Sequence, residues 1–126
     1  MMSNNIDPNA LGISFSRKRR EISIYRSTIE ALGRPCFVRF LFNMEKGRLA
    51  LQSCEEEELE SFVVPPFDDN EWEFLIYSEN LIRIIWQRFG WDKNARYHCN
   101  GTSYPEYNLV EFDLKQAEIM EAEASD

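Results

Sequence analysis

Four consecutive cations, Arg17, Lys18, Arg19 and Arg20, are the residues of this chain best placed to do a defined chemistry. Closely spaced guanidinium and ammonium groups on a turn displace the counterions condensed on a nucleic-acid backbone and so grip its phosphates. The plainer reading is a solvated turn whose charge opposes acidic segments elsewhere. The opposite chemistry is written between Gln52 and Glu73, where nine carboxylates stand without a single cation. That run includes Glu55, Glu56, Glu57, Glu58, Asp68 and Asp69. It can imitate a phosphate track and occupy a basic groove on another protein, or it can simply keep the chain soluble.

The residues that could support catalysis or metal binding form weaker patterns. His98 is the only histidine, and its neighbour Cys99 falls in a strand-like run, so the two side chains point to opposite faces. A paired structural histidine fits better than a nucleophile and base. Cys36, Cys54 and Cys99 together with His98 add up to a Cys3His ligand set, but no C-x-x-C knuckle organises them. Buried cysteine acting as a small hydrophobe is the simpler account. Gly33, Gly90 and Gly101 are isolated and make no phosphate-binding loop. Trp72, Tyr104 and Tyr107 can serve as exposed anchors for a partner or as packing. No catalytic residue, metal ligand or cofactor is assigned on these signals.

The elements that must carry these residues follow from periodicity and punctuation. Leu11, Ile13 and Phe15 alternate with Gly12, Ser14 and Ser16, the pattern of a strand with one buried face, and Ile22 and Ile24 continue it beyond the cations. A strand pair with a basic tip results. Ser27 and Glu30 have capping-box spacing, predicting a short helix from about Thr28 to Leu32 that Gly33 and Pro35 end. Residues 36–43 and the run through Leu49 and Leu51 form a hairpin, with Val38, Phe40 and Phe42 on one face. Phe62, Val63 and Val64 before Pro65 and Pro66 read as an edge strand.

A second helix is more strongly marked. Leu81, Ile82, Ile85, Trp86 and Phe89 make an apolar stripe, Ser78 is the cap, Gly90 is the stop, and Glu79, Arg83, Gln87 and Arg88 face away. Strands from Ala95 to Cys99 and from Leu109 to Leu114 follow, joined by a polar loop over residues 100–108. Beyond Lys115 the sequence favours a short helix fraying into an acidic tail. The predicted core is Ile22, Ile24, Ile29, Leu32, Val38, Phe40, Phe42, Leu49, Leu51, Phe74, Ile76, Leu81, Ile85, Trp86, Phe89, Tyr97, Val110 and Phe112.

Composition sets the frame. With 126 residues, 44% hydrophobic, the chain suits one globular domain. No apolar run is long enough to span a bilayer and the N-terminus lacks a signal peptide, so a cytoplasmic location is expected, without membrane contact. An odd number of cysteines argues against a disulfide framework. Charge is divided: residues 1–50 carry +5 and residues 51–126 carry −13, within a net −8. A uniformly basic nucleic-acid binder is excluded, and a locally basic one is not.

One unit is written twice. Residues 21–54 read EISIYRSTIEALGRPCFVRFLFNMEKGRLALQSC, and residues 73–115 read EFLIYSENLIRIIWQRFGWDKNARYHCNGTSYPEYNLVEFDLK. Each runs strand, hydroxyl, helix, glycine, strand, turn, strand, with residues 55–72 as linker and 1–10 and 116–126 as loose termini. A βαββ unit of this length cannot bury its own apolar face, so two copies should clasp one core with pseudo-twofold symmetry. The expected fold is α+β, a compact curved sheet or barrel with two capping helices.

This layout resembles the AbrB/SpoVT-like regulators of the swapped-hairpin, cradle-loop barrels, by pattern and not by identity. The resemblance implies DNA contacts from arginines near the first strand, helix and hairpin, to which Arg26, Arg34, Arg39 and Arg48 are the nearest counterparts. It implies a non-enzymatic regulator touching nucleic acid through a basic N-terminal face, as a monomer or homodimer. The competing expectation is an acidic protein-binding module, such as a phage or mobile-element inhibitor of a nucleic-acid-binding protein.

Overall fold

A computed structural model describes residues 10–55, 61–66 and 70–122. The described residues form nine strands and two α-helices in the order β1 (Gly12–Ser16), β2 (Glu21–Tyr25), α1 (Arg26–Ala31), β3 (Phe37–Asn43), β4 (Arg48–Cys54), β5 (Phe62–Val63), β6 (Glu73–Tyr77), α2 (Glu79–Phe89), β7 (Ala95–Tyr104), β8 (Leu109–Asp113) and β9 (Glu118–Ala122). The fold is α+β. Its strands form one antiparallel, barrel-like, nearly closed sheet in the order β5-β3-β4-β8-β7-β1-β2-β6. Strands β5 and β6 end the path, and β9 pairs with β7.

The two hairpins expected from alternation are present. β1 pairs with β2 around the basic turn, with Ser16 opposite Glu21, and β3 pairs with β4 around residues 44–47. β5 is an edge strand on β3, ended by prolines that cannot donate to a ladder. Strand β2 also pairs with β6, and β4 with β8, so each expected unit touches the other through its first and last strands.

Inside the sheet, Ile13, Phe15, Ile22, Ile24, Phe74, Ile76, Tyr97 and Cys99 join Val38, Leu49, Leu51, Val110 and Phe112 in one buried cluster. α2 closes it with Ile82, Ile85 and Trp86, while Leu32, Phe40, Phe42, Leu81 and Phe89 pack at its margin, half-buried. At its far end Trp86 lies edge-on to Trp91 at 5.0 Å and to Tyr97 at 5.8 Å, and its Nε1 donates to the Asp92 carbonyl at 3.1 Å. Both ends of α2 follow the sequence signals. Ser78 Oγ accepts from the Leu81 N–H, and Gly90 turns left-handed at φ 61°, where a side chain would be strained.

Several expectations are corrected. α1 begins at Arg26, not Thr28, and no capping box forms. Ser27 Oγ instead donates to the Ala10 carbonyl at 2.6 Å. Buried Thr28 accepts from the Gly12 N–H at 2.9 Å and donates to the Gly12 carbonyl at 3.0 Å. These hydroxyls fasten the helix to the segment entering β1, a long-range use that outcompetes the local cap.

Neither β1 nor β2 has an open face: every residue of both is buried. Glycine at position 12 permits this, because Tyr25 lies so close above it that a Cβ there would meet the ring at 2.5 Å. Tyr25 in turn stacks at a tilt on Trp72, 4.9 Å between centroids. The polar loop expected over residues 100–108 is strand as far as Tyr104, followed by a 3-10 turn over Pro105–Tyr107. The tail expected as a fraying helix is strand β9, which continues along the edge of β7 after a 3-10 interruption at Leu114–Gln116.

Candidate functional site

The basic turn is built on strand ends that cannot move independently. Residues 17–20 close the β1–β2 hairpin, with the Arg20 N–H donating to the Arg17 carbonyl at 3.2 Å and the Arg19 N–H to Ser16 Oγ at 3.1 Å. Arg20 sits at φ 56°, and its carbonyl accepts from the Ser78 N–H at 3.3 Å. That bond joins the turn to the start of α2. All four cations are exposed.

The junction creates a hollow of about 320 Å³ lined by Arg17, Lys18, Arg20, Glu79, Ile82 and Arg83. Three cations come from the turn, and the fourth, Arg83, comes from the first turns of α2. Glu79 lies 3.9 Å from Arg20, with both side chains about two-thirds exposed. Arg83 is held by its neighbour Asn80, whose Oδ1 accepts from Nη2 at 2.9 Å, an arrangement that leaves its positive charge uncompensated by that contact. Arg19 points elsewhere, 3.9 Å from the largely buried Glu21. Chemically, the hollow is suited to an anion that can take several charge-assisted hydrogen bonds at once, as a phosphate does.

The remaining arginines singled out in the sequence lie apart from this hollow and have partners. Arg26 donates to the Glu71 carbonyl at 2.9 Å, and Arg34 pairs with Glu30 at 2.7 Å. Arg39 donates through Nε and Nη2 to Gln52 Oε1, at 3.1 and 2.8 Å, across the β3–β4 ladder. Arg48 pairs with Glu111 at 2.8 Å on β4 and β8. The β3–β4 turn, close to Arg48, meets the opposite end of α2, where Arg88 Nε donates to the Met44 carbonyl at 3.2 Å. The first helix and the second hairpin therefore do not extend the basic site. Of the acidic candidates, Glu55 is exposed at the end of β4, and Glu56, Glu57, Glu58, Asp68 and Asp69 lie outside the described residues.

Comparison of the chain with protein-family models, curated proteins and solved structures finds no match. The site has to be interpreted from its own geometry.

His98 and Cys99 do project to opposite faces. Cys99 is buried in the core, where burial first, and then the carboxylates of Asp113 and Glu118, push its thiol up to about 12. His98 is on the outer face, opposite Ser14 in the ladder, with Nε2 3.6 Å from Glu118 of β9. Cys54 is also buried and Cys36 is exposed, and none of the three forms a disulfide among the described residues. On that same outer face Tyr25 OH and Ser14 Oγ are buried without a hydrogen-bond partner among the described residues. Burial drives the Tyr25 phenol up to about 12, against a smaller lowering by nearby Ser14.

Arg83 is the residue sequence reasoning missed. Its position on the polar stripe of α2 marked it as solvent-facing, which is correct, yet nothing local told that the basic turn would stand beside it. The contact that brings them together is the Ser78 to Arg20 hydrogen bond, between residues far apart in the chain.

Proposed function

We propose that the protein is a non-enzymatic binding module that contacts the phosphates of nucleic acid through the β1–β2 turn and the start of α2. The observation that carries this reading is the convergence of Arg17, Lys18 and Arg20 with Arg83 around one hollow. Cations on two elements whose backbones are set by a hairpin and a helix cap lose less backbone freedom on binding than cations on a mobile tail. The reading also takes residues 21–54 and 73–115 as two copies of a βαββ unit related by an approximate dyad, in the manner of AbrB-like regulators. Matching element orders, β2-α1-β3-β4 and β6-α2-β7-β8, and the β2·β6 and β4·β8 pairings support it.

Binding to random-sequence nucleic acid between about 50 and about 200 mM salt tests the proposal. Four phosphate contacts give a log-log salt slope of about −3 to −4, and each of Arg17→Gln, Lys18→Gln, Arg20→Gln and Arg83→Gln should reduce it by about one. Arg39→Gln, whose guanidinium is engaged by Gln52, should leave the slope unchanged. Absence of binding at the lower salt concentration discards the reading.

A further inference from the structure

The strand leading into the basic hollow carries an exposed aromatic ring. Tyr77 is the last residue of β6 and directly precedes Ser78, the residue that joins α2 to the basic turn. It is 66% exposed, the highest value of any large apolar or aromatic side chain among the described residues. Its ladder partner on β2 is Glu21, the residue after Arg20. The ring and the cations therefore occupy one end of the sheet. Leu75, two residues earlier and on the same face, is 39% exposed and continues the apolar surface along β6, which ends the sheet path.

An exposed ring on an edge strand has several conceivable uses, and charge decides among them. The cations at this end of the sheet favour a polyanion, and nucleic acid with unpaired bases is a polyanion that also offers flat apolar faces. In a duplex those faces are already stacked on one another, so a protein ring beside the backbone meets only sugar and phosphate. In a single strand each base presents a face on which a tyrosine can stack.

We infer that the site prefers single-stranded nucleic acid, with a base stacked on Tyr77 while the neighbouring phosphate enters the hollow formed by Arg17, Lys18, Arg20 and Arg83. This rests on the phosphate-binding reading above and gives it a substrate class. Stacking makes no use of base edges, so the preference among sequences is weak. Tyr77 is then a binding residue whose contribution comes from its π face. Its hydroxyl is dispensable.

Fluorescence anisotropy with a labelled thymidine oligonucleotide of about 12 residues, and with a duplex of the same length, separates the two levels of the proposal. The single strand should bind more tightly than the duplex. Tyr77→Ala should weaken single-strand binding about tenfold and leave duplex binding within about twofold, and Tyr77→Phe should retain wild-type affinity. Because the side chain is mostly in solvent, the variants should keep the wild-type melting temperature. Equal loss on both ligands, or no loss on the single strand, overturns the stacking role while the salt-dependent duplex binding still supports the phosphate reading. Failure of both ligands to bind overturns both. A wild-type protein that sediments as a dimer which Tyr77→Ala dissolves, with single-strand affinity intact, assigns the ring to a second copy of the chain and also overturns the inference.

Discussion

Thr28→Val is the perturbation that most directly tests how α1 is fixed to the sheet. The two side chains are nearly isosteric and both β-branched, so helix propensity and packing volume barely change. Burial alone would predict a gain, since a methyl replaces a hydroxyl in a site that is 0% exposed. The hydroxyl, however, both accepts from the Gly12 N–H and donates to the Gly12 carbonyl. Valine leaves these groups buried with no water to replace their partner. Stranding a buried N–H or C=O costs about 1–3 kcal/mol each, offset by about 1 kcal/mol from the added methyl, for a net loss of about 1–5 kcal/mol. Urea unfolding followed by tryptophan fluorescence should show the midpoint falling by about 1–2 M with unchanged slope. Thr28→Ser keeps the hydrogen bonds and loses only a methyl, so Gly12 amide exchange should stay protected in it and become fast in Thr28→Val. A valine variant as stable as the wild type, with Gly12 still protected, would refute the account.

Other expectations concern the aromatic cluster and the buried ionisable groups. Trp86→Ala removes the ring packed against Trp91 and Tyr97 and should destabilise by about 3–5 kcal/mol, whereas Trp86→Phe, losing part of the indole's buried volume and the bond to the Asp92 carbonyl, should cost less, about 1–3 kcal/mol; urea midpoints of the two variants check both. Burial raises Cys99 from 9.0 and Tyr25 from 10.0, each to about 12, so in the unfolded chain these groups lose their protons first. Their contribution is complete below about pH 9 and is lost as pH rises toward 12, so stability should decline over that window, and Tyr25→Phe combined with Cys99→Ala should flatten the decline. Iodoacetamide on the native protein should label exposed Cys36 and spare Cys54 and Cys99, as peptide mapping would show.

What could be read in the sequence was what local signals specify. α2 was legible because its cap, apolar stripe and terminal glycine all lie within residues 78–90 and agree with one another. The β3–β4 hairpin and the basic turn were legible for the same reason. Illegible features were those in which a distant group overrode a local preference. Gly101 and its polar neighbours looked like loop, yet Gly101 lies in β7 because Val110 and Phe112 press on it, leaving 2.7 and 2.9 Å to where a Cβ would stand. Residues 118–122 have helix-forming composition, and the unpaired edge of β7 draws them into a strand. In the site, the turn cations could be identified and Arg83 could not, since its role depends on a hydrogen bond across 58 positions of chain between Arg20 and Ser78.

On the proposed reading, a chain of net charge −8 binds phosphate through one local surface. Exposed charges are screened over about 8 Å at physiological ionic strength, so an anion in the hollow responds chiefly to the described charges that line it, Arg17, Lys18, Arg20, Arg83 and Glu79. The other end of α2 is already about 16 Å away, two screening lengths, for a helix of 11 residues. Net charge therefore acts on the approach and not on the bound state. On the proposed reading, the carboxylates that set the net charge act on the approach of a polyanion, and the lining of the hollow determines where its phosphate is held.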